Sequence, residues 1–223
     1  MVHIPFGRPA ARRVFAAVLL SSQFFAVGAR AESTGGIDHP VPEADRTTEV
    51  ALGVGNHLGI GRVDGTAVRL QDLSGGGTTL ELAVGYRVTS AALLGVYATG
   101  SRLAGSDAAD QDSSVITSSA GLQVNWHGRP AMLLDPWIGY GAGWRGIWLK
   151  RGSGVTTSQG LDMARVQVGL DFRLASSFAL SPVIGADWSL ELWDDGLPNS
   201  SGGTRVNALV FAGVLGRVQM FGP

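Results

Sequence analysis

The apolar segments of this chain are joined by connections of alternating length, and this alternation constrains the fold more than any other feature. After the first thirty residues, eight segments alternate apolar and polar side chains with a period of two. Long connections are predicted at Gly61–Gly77, Gly100–Ser114, Lys150–Gly160 and Asp194–Thr204, and short ones at Thr89–Ala91, His127–Pro130 and Ala175–Ser177. Every second connection of an antiparallel sheet lies at the same edge, so one rim should carry four long loops and the other three tight turns.

The sixth segment shows the period of two most clearly. Every second residue from Ala164 to Leu174 is apolar, whereas polar or small side chains and two arginines occupy the alternate positions. This period excludes an α-helix. The segment around Leu93–Thr99 is ambiguous in phase. We therefore predict an all-β fold, an eight-stranded antiparallel up-and-down transmembrane β-barrel over residues 47–223.

The start of the chain predicts export. Arg8, Arg12 and Arg13 form a basic region before an apolar run, and Ala29 and Ala31 supply small residues for cleavage. This pattern is typical of a secretory signal peptide over residues 1–31, and residues 32–46 form a predicted periplasmic linker. Removing the four arginines of the leader leaves 13 basic and 18 acidic residues, a net charge of −5. That balance predicts no nucleic-acid partner.

Alternation alone does not decide which face points outward. A soluble eight-stranded lipid carrier has the same period with its apolar face inside. Two features favour the membrane barrel: the chain contains a single lysine, Lys150, and aromatic residues lie near the strand ends, as at membrane interfaces. The predicted interface aromatics are Tyr86, Trp126, Trp144, Trp148, Phe172 and Trp188.

The polar face carries charges of both signs. Eight strands close to a diameter that side chains can fill, so we expect these charges to form a desolvated network inside the barrel. Such a network either fills the lumen with salt bridges or lines a narrow conduit. The predicted members are Glu49, Glu81, Arg145, Arg165, Asp171, Arg173, Asp187, Glu191 and Arg217.

The leader, the eight strands, the glycine-aromatic run Pro136–Trp144 and the closing Val218-Gln219-Met220-Phe221 together resemble a known family. They are similar to small Gram-negative outer-membrane β-barrel proteins of the OmpA, OmpX and OmpW-like kind. The resemblance implies a location in the bacterial outer membrane and contact with its lipids. It also implies assembly by the barrel-assembly machinery, which reads a terminal aromatic residue in this family. Phe221 matches that signal, although Gly222 and Pro223 follow it.

The sequence predicts no catalytic, cofactor-binding or metal-binding residue. Some small outer-membrane barrels modify lipid A with a His/Ser pair and an acid, and His57 near Ser74 is the one candidate pair. Nothing in its spacing singles it out, so we expect no enzyme. The chain has no cysteine and no histidines or carboxylates at ligand spacing, which leaves a transition-metal site without support.

Three functions therefore stay open. The leading hypothesis is a structural or surface-interaction protein whose four exposed loops contact an extracellular ligand or partner above a largely filled lumen. The alternative is a narrow pore or a lateral-exit transporter for small hydrophobic compounds. Trp137 and the apolar Leu209, Phe211 and Leu215 on the inner face of the last strand motivate that alternative. A lipid A-modifying enzyme is the third.

Overall fold

The computed structural model describes residues 47–61, 74–105, 114–130, 132–151, 154–195 and 205–220. The predicted leader, the predicted linker and Phe221 lie outside these ranges. The described residues form eight strands and no helix. The strands are β1 (Thr48–Gly61), β2 (Ser74–Arg87), β3 (Ala92–Gly105), β4 (Ser114–His127), β5 (Leu134–Arg151), β6 (Gly154–Ala175), β7 (Phe178–Asp195) and β8 (Arg205–Met220).

The eight strands form a closed barrel in chain order. Each strand pairs antiparallel with its sequence neighbours, and β1 closes the barrel against β8, from Thr48 opposite Met220 to Gly61 opposite Asn207. The predicted fold class is therefore confirmed. Both ends of the barrel chain lie at the rim of the tight turns, as the alternation of connections required. Closure pairs every strand on both sides, so no open sheet edge faces the membrane.

The connection between β5 and β6 differs from the prediction. Lys150–Gly160 was expected to be a long loop, but the pairing of β5 with β6 continues through this range to its last pair, Arg151 opposite Gly154. Only residues 152 and 153 separate the two strands, so the prediction of four long loops is wrong at this position. Thr156 and Thr157 explain the difference, because a polar stretch rich in β-branched threonine extends a strand as readily as it forms a loop.

The predicted apolar face points outward. Leu52 is 64% exposed and Leu122 is 67% exposed, and the same alternation runs around the barrel. In β3, whose phase the sequence left ambiguous, Leu94 and Val96 face out, while Leu93 is buried inside. An apolar band of this extent is characteristic of a lipid-facing surface rather than a water-facing one. No helix among the described residues is long and apolar enough to cross a membrane.

Glycines on the inner face make room for the large inward side chains. A Cβ atom at Gly169 would lie 2.5 Å from the Trp137 ring, and one at Gly185 would lie 2.5 Å from the Phe211 ring. Small residues beside large ones allow a narrow barrel interior to be filled without voids. This packing gives a physical reason for part of the high glycine content, 33 of 223 residues.

Candidate functional site in the barrel lumen

All nine charged residues predicted to face the lumen are buried inside the barrel. They are Glu49, Glu81, Arg145, Arg165, Asp171, Arg173, Asp187, Glu191 and Arg217. The structure adds buried titratable residues that the predicted network did not include, among them Arg87, His127, Asp135 and Asp162. The period of two already places Arg87 on the inner face. Asp162 was missed because a register shift in β6 between Asp162 and Ala164 interrupts the alternation.

Five of these residues form a middle network that crosses the lumen. Arg165 Nη2 lies 2.6 Å from Glu81 Oε2, which joins β6 to β2 on the far wall. Arg165 Nη1 also lies 3.8 Å from Asp187 Oδ2. Arg145 Nη2 lies 2.7 Å from Asp187 Oδ2 and 3.1 Å from Asp162 Oδ2. Charges of both signs are thus paired in a space where an unpaired charge would be costly.

Polar and aromatic groups complete the middle network. The Tyr97 hydroxyl donates a hydrogen bond of 2.9 Å to Asp162 Oδ2, and the Gln167 amide donates to both oxygens of Glu81 at 3.2 and 3.3 Å. The Arg165 guanidinium lies over the Tyr97 ring, 4.6 Å from its centroid. These contacts hold the charged side chains in place across the barrel.

A second set of ion pairs, the turn-side network, lies near the rim of the tight turns. The Glu49 carboxylate forms one ion pair at each oxygen. Arg87 Nη2 lies 3.1 Å from Oε2, and Arg217 Nη1 lies 2.7 Å from Oε1. Arg217 Nε lies 3.4 Å from Asp171 Oδ1. Arg173 Nη2 lies 3.9 Å from Asp135 Oδ2. The network therefore links the walls of the barrel at the end where β1 begins and β8 ends.

Toward the opposite end of the lumen, an apolar cluster lies beside buried polar side chains. Five buried side chains pack together at the rim opposite the tight turns, toward the ends of β3 and β5 and the starts of β4 and β8, and we call them the loop-side cluster. They are Leu103, Val115, Ile147, Leu149 and Leu209. Glu191 lies at the same end, where its carboxylate accepts hydrogen bonds from Ser158 Oγ at 3.2 Å and from Ser189 Oγ at 3.0 Å.

The apolar residues that motivated hydrophobic transport are packed against neighbours. Trp137, Val183, Phe211 and Leu215 form one buried cluster. The Arg217 guanidinium lies 4.1 Å from the centre of the Trp137 ring, and Trp137 Nε1 donates to Ser181 Oγ at 2.8 Å. Phe211 contacts the His57 ring edge-on, with 5.3 Å between centroids. The cluster fills space rather than lining a hydrophobic pocket.

Small cavities lie in the turn-side half of the described lumen. One is bordered by Glu49, Glu81 and Arg217 among others, and the second lies beside Asp171 and Arg173. Each has a volume of about 10 Å³, roughly the space for a single water molecule. Neither is large enough for an organic ligand, which typically requires hundreds of Å³.

Three turn-side residues could together ligate a metal ion. Potential ligand atoms of His127, Asp135 and Asp171 all lie within 4.8 Å of one another. Contacts with other protein groups explain the positions of these side chains. His127 Nδ1 lies 2.8 Å from Asp135 Oδ2, while the other oxygen of Asp135 accepts the backbone N–H of Arg129 at 2.9 Å. Asp135 thereby ties the β4–β5 turn to the barrel wall, and Arg217 balances the charge of Asp171.

His57 also faces the lumen, not the lipid. Its Nδ1 lies 2.7 Å from Ser101 Oγ on β3. The Ser74 side chain of the predicted pair lies outside the described side chains. Thr79 Oγ1 donates to the carbonyl of Gly100, and Ser101 Oγ donates to Thr79 Oγ1 at 2.9 Å. The Ser101 proton is therefore already committed, so His57 Nδ1 must carry a proton and act as the donor.

The predicted interface aromatics lie on the outer surface. Tyr86, Trp126, Trp144, Phe172 and Trp188 are exposed there. Trp148 is half-buried because its ring packs over Gly146, and a Cβ atom at that glycine would lie 2.7 Å from the ring. Trp126 and Ile116 are ten residues apart on β4, which is the length that a tilted strand needs to cross a bilayer.

Comparison with solved structures addresses the fold. Neisserial surface protein A (NspA) matches 78% of this chain and 97% of its own, with 15% identity and a TM-score of 0.51. The chain has the fold of the small outer-membrane β-barrels. OprG from Pseudomonas aeruginosa is 10% identical over 80% of this chain and 99% of its own, with a TM-score of 0.48. No protein-family model and no curated protein matches the chain.

The closed barrel and its outer surface both fit a protein that spans a membrane. A closed antiparallel barrel satisfies its backbone hydrogen bonds internally, and this one exposes an apolar band with aromatic residues near its ends. The predicted resemblance to the OmpA, OmpX and OmpW-like barrels is confirmed at the level of fold. The protein is an integral outer-membrane β-barrel.

Proposed function

We propose that this outer-membrane barrel is a non-conducting structural and surface-interaction protein. Its strands anchor it in the membrane, and its loop-side rim faces the exterior and contacts an extracellular ligand or partner. The proposal includes assembly by the barrel-assembly machinery and no catalytic activity.

The filled lumen is the observation that carries the proposal. From one end to the other, the described side chains form the turn-side network, the middle network and the loop-side cluster. The cavities left among the first two hold about one water molecule each. An ion or solute would have to separate buried charge pairs and then cross an apolar cluster, and each step is costly. Within the described barrel, only the outer surface and the rims are available for interaction.

Single-channel recording tests the closed lumen. The mature chain, refolded into lipid and shown to be folded by heat-modifiable gel migration, should produce no discrete openings in a planar bilayer. Glu81→Ala is a useful comparison, because it removes the carboxylate that Arg165 reaches across the lumen. Discrete openings in the folded wild-type protein would overturn the proposal.

A second experiment tests surface interaction. Bacteria that display the wild-type protein should attach to surfaces coated with extracellular-matrix extract more strongly than bacteria that display a variant with residues 196–204 replaced by a Gly-Ser linker. Folded protein in the outer membrane must be equal in both strains. Equal attachment of the two strains to matrix and to partner cells would count against a role for this loop.

A further inference from the structure

The exposed charges of the barrel are uneven in sign. Among residues whose side chains the structure describes, every acidic side chain is buried in the lumen, and the exposed charged side chains are Arg102, Arg129 and Lys150. Arg129 lies in the β4–β5 turn, at the tight-turn rim. Arg102 and Lys150 instead lie on the outer wall toward the long-loop rim. No ion pair joins either residue to another described side chain.

The strand register places these two cations close together. Arg102 on β3 is opposite Ile116 on β4, and Ile116 is opposite Trp148 on β5. Adjacent strands lie about 4.8 Å apart, so Arg102 and Trp148 stand roughly 10 Å apart across the wall. Lys150 is two residues further along β5, about 7 Å above Trp148. Both flexible side chains can therefore reach one headgroup.

Arg102, Ile116 and Trp148 lie at a height that matches the edge of the hydrocarbon layer. Ile116 lies ten residues along β4 from Trp126, the aromatic residue near the opposite rim. That length spans the apolar part of a bilayer, so Arg102 and Trp148 lie at the boundary between acyl chains and headgroups. Below Arg102 on β3, the exposed wall continues with Gly100, where a Cβ atom would have no neighbour within 4 Å. An acyl chain has room there directly under the cations.

We propose that Arg102 and Lys150 bind a lipid with a phosphate-bearing anionic headgroup in the loop-side leaflet. The two cations bind the phosphate oxygens, while Ile116 and Trp148 contact the first part of the acyl chains. Charge complementarity supports this occupant, because the described wall offers the headgroup two cations and no exposed acid. This site lies on the outside of the barrel, so the proposal does not depend on whether the lumen conducts.

Native mass spectrometry of the folded mature chain in detergent tests the proposal. The probe is a short-chain phosphatidic acid, and the comparison ligands are the matching phosphatidylcholine and inorganic phosphate. Each cation near an anionic lipid contributes about fivefold to affinity. We therefore expect Arg102→Gln combined with Lys150→Gln to weaken phosphatidic acid binding about thirtyfold. Arg129→Gln, which removes an exposed cation at the opposite rim, is the matched control and should bind like wild type.

The remaining outcomes of this experiment would contradict the proposal in whole or in part. Equal binding by wild type and the double variant, or equally tight binding of phosphatidylcholine, would overturn it. Inorganic phosphate binding as tightly as the lipid would indicate a soluble-phosphate site without an acyl-chain contact. If the double variant does not give the folded band, the single variants Arg102→Gln and Lys150→Gln should each lose about fivefold, and an unchanged affinity in both would equally overturn the site.

Discussion

Arg165 reaches across the barrel to Glu81, with 2.6 Å between Nη2 and Oε2, and so joins two strands that are not neighbours in the sheet. Both side chains are almost completely buried. The pair therefore holds opposite walls of the lumen together, and each residue depends on the other to offset its desolvation.

Breaking this pair from one side should be costly. We expect Arg165→Met to lower the free energy of unfolding by about 3–5 kcal/mol, because it leaves the Glu81 carboxylate buried with only the Gln167 amide as a described partner. The double variant Glu81→Gln, Arg165→Met should lose less than the sum of the two single variants, by about 1–3 kcal/mol. Urea unfolding in lipid vesicles measures all four proteins. Strict additivity would mean that the two side chains do not act as a pair.

The glycines under large inward side chains give a second prediction. Gly169→Ala should lower the free energy of unfolding by about 1–3 kcal/mol, because the new methyl group would meet the rigid Trp137 ring. Gly100→Ala is the matched control on the open outer wall, and its effect should stay within about 0.5 kcal/mol. The same urea titration compares them. Equal losses at the two positions would contradict the proposed lumen packing.

Much of the barrel could be predicted because its main signal is local. A period of two assigns each residue to one face without knowledge of its partners, so the inward positions of Glu49, Asp187 and Arg217 followed from the sequence alone. The boundary of β6 did not follow, because Thr156 and Thr157 suit a loop and a strand equally well. The bulge after Asp162 likewise shifts the phase in a way that no single residue signals.

The ion-pair partners inside the lumen could not be predicted. Glu81 and Arg165 are 84 residues apart, and they meet only because the barrel closes with a particular stagger between strands. The Glu49 carboxylate receives arginines from both β2 and β8 for the same reason. Sequence alternation defines which residues face the lumen, while closure defines which of them touch.

The layered lumen leads to a third prediction, about conductance. Leu209→Ala should open space in the loop-side cluster, but the two ion-pair networks below it stay in place. Arg217→Gln should weaken the turn-side network and leave the loop-side cluster intact. We expect neither folded variant to show discrete openings in planar bilayers, because the layers act in series. Openings in either single variant would show that one layer alone closes the lumen.

His57 gives a fourth prediction, which concerns catalysis. A histidine that activates serine must accept the hydroxyl proton, whereas His57 Nδ1 donates to Ser101 Oγ, whose own proton goes to Thr79. Both residues are buried in the lumen, on the opposite side of the wall from the lipid. We therefore expect wild type, His57→Ala and Ser101→Ala to leave vesicle phospholipid and lipid A equally intact, as measured by lipid mass spectrometry.

Both His57→Ala and Ser101→Ala should be less stable than wild type. His57→Ala removes a buried hydrogen bond and the edge-on contact with Phe211, so the free energy of unfolding should fall by about 1–3 kcal/mol. Ser101→Ala should fall within the same range, because it breaks the chain of donors between His57 and Thr79. Deacylated or acyl-transferred lipid that appears with wild type and disappears with both variants would reverse this assignment. A loss of stability without any change in the lipids supports a purely structural role for the pair.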